Sequence, residues 1–128
     1  MKRILSVLAL VALPLLAANA LAAGHAHAKA AAKTLTVKGE IVDLGCYLAE
    51  GARGADHMSC ASKCIASGMP FGVLTAEGKL YLLTLNHDNP DPYNKGKELA
   101  AQNVTVTGQL IQRNGIMAID VASIESAK

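Results

Sequence analysis

The chain predicts a small, mainly β domain: a five-stranded barrel in the order strand, strand, strand, helix, strand, strand, with a short cysteine-bearing helix inserted between strands 1 and 2. Three observations carry this. Two distant segments, Leu35-Thr-Val-Lys-Gly-Glu-Ile-Val42 and Val104-Thr-Val-Thr-Gly-Gln-Leu-Ile111, share the pattern apolar-Thr-Val-x-Gly-x-apolar-apolar. Short β-branched and apolar runs lie between and after them, each bounded by a turn signal. The three cysteines of the chain, Cys46, Cys60 and Cys64, all fall in one stretch that interrupts the strand pattern.

The first and fourth strands rest on those two segments. Leu35, Val37 and Ile41 alternate onto one face, as do Val104, Val106 and Leu110, which is the period of a half-buried strand. Gly39 and Gly108 hold the same place in each, where a strand bends or bulges. Gly72 to Thr75 and Leu80 to Leu85 form the second and third strands, joined through Ala76-Glu77-Gly78-Lys79 as a hairpin. A helix is expected from Tyr93 to Ala101, with Pro90 and Pro92 stopping any earlier start. The last strand, Ile116 to Ile124, follows Asn114-Gly115, a pair suited to the positive φ angles of a tight turn. This order over residues 34–124 resembles the oligonucleotide/oligosaccharide-binding (OB) fold, whose helix lies between its third and fourth strands. The resemblance implies that the first connecting loop, here residues 44–70, is a place for ligands.

Residues 1–23 have the layout of a cleavable signal peptide: Lys2 and Arg3, an apolar run from Ile4 to Ala18, then small residues. Cleavage after Ala20, Ala22 or Ala23 fits. The apolar run of about 15 residues is shorter than the roughly 20 needed to span a bilayer, so no stable membrane insertion is expected once the signal is removed. Residues 24–33, GHAHAKAAAK, read as a disordered Ala/His/Lys tether. Residues 34–126 are then a single domain, and export places it in the periplasm or outside the cell. Losing Lys2 and Arg3 from the 12 basic residues leaves 10 against 10 acids. That neutrality, with no tryptophan and few aromatics, excludes nucleic acid as a partner.

In the insertion, Asp56 is expected to cap a helix that ends at Gly68 and Pro70. His57, Cys60 and Cys64 then share one stripe, with Met58 and Ile65 on the neighbouring one, and Cys46 approaches from the barrel. Thiolate, thioether and imidazole donors suit Cu(I) or Zn(II), so Cys46, Cys60, Cys64, His57 and Met58 are the candidate ligands. The Cys-x3-Cys pair resembles the end of the heavy-metal trafficking and sensing (TRASH) motif, in which the third cysteine stands farther upstream than Cys46 does here. That resemblance implies soft-metal ligation by Cys60 and Cys64. The alternative is a disulfide from Cys46 to Cys60 or Cys64, which would staple a small domain and leave one thiol over. A bridge between Cys60 and Cys64 within a regular helix does not suit disulfide geometry.

A thiol-redox protein is the third reading, although Cys-x-x-Cys is absent and nothing else suggests an enzyme. His25 offers a weaker Cu(II) site should the mature chain begin at Ala23. His87-Asp88-Asn89-Pro90-Asp91-Pro92 lacks the glycine and glutamate of a calcium loop and reads as turn and cap residues. The segments Gly39–Tyr47, His57–Ile65 and Gly68–Leu74 together look like a group of short exported bacterial proteins, a resemblance that implies export and no particular activity. The expectation is therefore a periplasmic module binding a soft metal, copper first, in trafficking or tolerance. A disulfide-stabilised module binding a protein or small ligand is the alternative.

Overall fold

The computed structural model describes residues 33–127. The signal peptide, His25 and His27, and all but the last residue of the tether lie outside them. The elements are β1 (Thr34–Asp43), α1 (Leu44–Glu50), a single 3-10 turn (Ala55–His57), α2 (Met58–Ala66), β2 (Phe71–Thr75), β3 (Leu80–Thr84), α3 (Asp91–Lys97), β4 (Asn103–Arg113) and β5 (Ile116–Ser126). The strands close into a ring in the order β1-β2-β3-β5-β4. Every pairing is antiparallel except that of β3 with β5.

β1 can serve two neighbours because it is long and curved. Its first part pairs with β4 and its last with β2, and Gly39 lies opposite both Thr75 and Val104. A Cβ on Gly39 would stand 2.3 Å from the Leu74 carbonyl oxygen, so only glycine lets the backbones approach this closely. Gly108 does the same in β4, where a Cβ would stand 2.1 Å from the Asp120 carbonyl oxygen and the register with β5 shifts between Thr107 and Gly108. Both glycines thus mark the bend and the bulge that the repeated pattern implied. The β4–β5 turn has φ of 51° at Asn114 and 83° at Gly115, as the Asn-Gly pair requires.

The alternating residues fill the interior. Ile41, Val73, Val104, Val106, Ile119 and Val121 are all inaccessible to solvent, and α2 closes over them by burying Ala61 and Ile65, one turn apart. Phe71 and Tyr81 belong to this core and offer no stacking surface. α3 covers another side: Tyr93 packs on Phe71 with ring centroids 4.9 Å apart. Among the described residues no helix is long and apolar enough to cross a membrane.

Two helix expectations are corrected. α3 runs from Asp91 to Lys97 rather than Tyr93 to Ala101. Pro92 falls in the first turn, where its missing N–H has no partner to lose. At the other end the Ala101 N–H donates to the Ile41 carbonyl (2.8 Å) and the Gln102 carbonyl accepts from the Ile41 N–H (3.0 Å), so the backbone is taken up by β1 before the helix can continue. The insertion holds two helices instead of one. Asp56 lies within the 3-10 turn and caps nothing through its side chain, while α2 starts behind His57. The expected end of α2 does stand: Gly68 adopts φ 99°, and the Met69 and Gly68 N–H groups return to the carbonyls of Cys64 and Ile65, a Schellman motif.

Candidate metal centre

The site is organised by Asp43, the last residue of β1. Its backbone still pairs with Phe71 of β2, and its side chain is fully buried. One carboxylate oxygen accepts the Cys46 N–H at 2.8 Å, which makes Asp43 the N-cap of α1. The other lies 3.0 Å from Nε2 of His57. Gly51 ends α1 with φ 71° and donates its N–H to the Tyr47 carbonyl. The loop that follows is tied back to β1 by the Gly54 N–H donating to the Glu40 carboxylate.

Cys46 therefore sits just past the end of β1, as expected, and there it occupies the first turn of α1. Cys60 and Cys64 sit one turn apart on α2, each next to a residue that α2 buries in the core, Ala61 and Ile65. This fixes the helix about its own axis and brings both thiols toward α1. Two sets of donors converge, each with its ligand atoms within 4.8 Å of one another: Cys46, His57 and Cys60, and Asp43, Cys46 and Cys64. Cys46 belongs to both. Four of the five expected ligands are thus brought into one cluster, which could hold a metal ion. Met58 opens α2 and is 38% exposed.

All three thiols are unpaired in the structure, so the expected disulfide is not formed. Burial and then the neighbouring Asp43 carboxylate push the Cys46 thiol up to about 12. Cys64 is raised as well, by burial and by the adjacent Cys60. For Asp43 burial acts upward, but the Cys46 N–H, His57 and the Cys46 thiol outweigh it and hold the carboxyl below its ordinary value. The centre consequently combines an ionised, buried carboxylate with Cys46 and Cys64 thiols whose protons a metal would have to displace. A neutral His57 that donates from Nε2 to Asp43 keeps Nδ1 as its lone-pair donor. That carboxylate–histidine pairing is the arrangement that orients histidine ligands in metal sites generally.

Sequence reading missed Asp43. The signal was present: an aspartate directly before a short run that ends at Gly51, with the N-cap partner three residues on. Its contact with His57 crosses 14 residues of chain and is visible only in the fold.

Comparison with protein-family models gives no match, and comparison with curated proteins gives none. Among solved structures the chain is similar to that of the hypothetical protein ygiW from E. coli, with 18% identity over 75% of this chain and 76% of that one, and a TM-score of 0.44.

Proposed function

We propose that this chain is an exported, periplasmic or secreted binding module of OB-like architecture, and that its α1–α2 insertion holds a soft metal ion, copper foremost, for trafficking or tolerance. The observation that carries the reading is the convergence of three thiols and one imidazole at the rim of the ring of strands. Two sulfurs and a nitrogen within 4.8 Å form a soft donor set, which favours Cu(I), with Zn(II) next. The helix between the third and fourth strands and the parallel β3–β5 pairing support the OB-like assignment. Residues 1–23 support export.

Proton affinity at Cys46 favours this reading over thiol-redox catalysis at that residue. A nucleophilic thiol needs a depressed pKa, and Cys46 is pushed the other way, to about 12. Bound metal reverses the balance by replacing the proton on sulfur.

The test is thiol titration and elemental analysis of protein recovered from the periplasm, with the intact mass reporting signal removal. The reading expects three titratable thiols in the metal-free protein, all lost on adding Cu(I), and Cys46→Ser should abolish tight binding. One titratable thiol with no metal would refute it and establish the disulfide-stabilised module instead.

A further inference from the structure

The donors do not form one set around one point. They form two sets of three that have only Cys46 in common. A metal–sulfur bond of about 2.3 Å keeps two sulfur donors of one ion within about 4.6 Å of each other, so each set, with its donors within 4.8 Å, is close to the size one ion needs. Building a single four-coordinate site would mean drawing Cys64 into the set of Cys46, His57 and Cys60. Building two low-coordinate sites asks for less movement, because a thiolate sulfur has lone pairs enough to bind two ions at once.

Resting on the metal-binding reading above, we infer that the centre is dinuclear for a soft monovalent ion: Cys46 bridges one Cu(I) held by Cys60 and His57 and a second held by Cys64. Asp43 has its place in the second set. A carboxylate is a hard donor and a poor partner for Cu(I), but it is fully buried beside Cys46 and Cys64 and brings negative charge to that side of the bridge. The two sulfurs bind the second ion as a two-coordinate pair, and the adjacent carboxylate stabilises its positive charge. Three thiols lose three protons as two Cu(I) ions enter, and no electron is transferred. Zn(II), which takes four ligands and carries twice the charge, is expected to bind as a single ion by drawing from both sets.

The two exposures in the cluster also differ. Cys60 is exposed, whereas Cys46 and Cys64 are half-buried. The ion on the Cys60 side is therefore expected to exchange faster with an external thiol than the one on the Cys64 side.

The experiment is titration of the reduced full chain with Cu(I) against a competing chelator, read by native mass spectrometry and by X-ray absorption at the copper edge. Two Cu(I) per wild-type chain, with a metal–metal scattering shell, are expected. Cys60→Ser and Cys64→Ser should each bind one ion and lose that shell, with circular dichroism showing that both remain folded. A wild-type plateau at one Cu(I), or two ions without metal–metal scattering, overturns the inference while leaving the metal-binding reading intact. No tightly bound ion overturns both.

Discussion

Replacing Asp43 by alanine and by asparagine separates its three tasks: capping α1, orienting His57 and supplying charge to the centre. The alanine variant removes the N-cap, which costs about 1 kcal/mol. It also leaves the His57 ring nitrogen, on a side chain 18% exposed, without its partner, adding on the order of 1 kcal/mol. For a domain of this size a total of roughly 2 kcal/mol lowers the melting temperature of the metal-free protein by about 10 °C. Asparagine caps as well as aspartate does and has nearly the same shape, so only the charge-assisted component is lost, about 1 kcal/mol or about 5 °C. Metal affinity should order differently. Both variants release His57 from its anionic partner, and losing such a support typically lowers affinity about 10–100-fold. Thermal melts of reduced, metal-free protein and Cu(I) competition on the same three proteins measure both quantities. Asparagine with wild-type copper affinity would refute the role assigned to the carboxylate charge, and alanine melting within about 2 °C of wild type would refute the capping argument.

Other expectations follow from the same geometry. Cys46 and Cys64 titrate above an ordinary thiol in the folded state, so their contribution to stability is complete below the unfolded thiol pKa, about 8.5, and is lost as pH rises toward their raised folded values, about 12 for Cys46. Reduced, metal-free protein should therefore melt progressively lower above about pH 9, and Cys46→Ser should flatten that decline. Asp43 acts at the opposite end, because its lowered pKa contributes stability above the unfolded carboxyl value of about 3.9 that disappears as acid protonates it. Acid melts of wild type should fall more steeply below about pH 4 than those of Asp43→Asn. Apparent Cu(I) affinity should rise from pH 6 to pH 8 by up to about tenfold per pH unit for each proton displaced, and a pH-independent affinity would show that the thiols are not the ligands. Gly108→Ala puts a Cβ 2.1 Å from backbone at Asp120 and should prevent cooperative folding, while Gly51→Ala, with open space around it, should cost about 1 kcal/mol.

The ring of strands was legible because its information is local. Alternation at Val104 and Val106, two glycines in matching places and an Asn-Gly turn each dictate a backbone state without reference to the rest of the chain. Helix ends were less legible because other elements decide them. Nothing near Ala101 announces that its N–H will be taken by Ile41, 60 residues earlier. α1 was hidden for a related reason: Gly45 lowers helix propensity in the first turn, and its place is set by the side chain of Met69, which a Cβ would approach to 2.9 Å. The thiols and His57 declare themselves by residue type. Asp43 does not, since an aspartate closing a strand has many commoner uses, and only the return of the chain at His57 gives it a partner.

Asp43 also explains why the centre lies where the first strand ends. A carboxylate can stay buried and ionised only if its oxygens are occupied by donors, and here the Cys46 N–H and His57 occupy them. Its backbone is held by the ladder to Phe71, so the charge cannot retreat toward solvent without unpairing β1 from β2. Among the thiols only Cys46 lacks such a restraint, since α1 has no buried residue, whereas α2, which carries Cys60 and Cys64, is anchored by two. A fixed anion beside a less restrained Cys46 would suit a cargo ion: the anion attracts a cation and orients the imidazole, while the bridging sulfur can adjust. A structural metal would call for the reverse, sulfurs fixed from both sides and closed from solvent. Under the metal-binding reading proposed above, the exposure of Cys60 would leave one sulfur open to an incoming thiol.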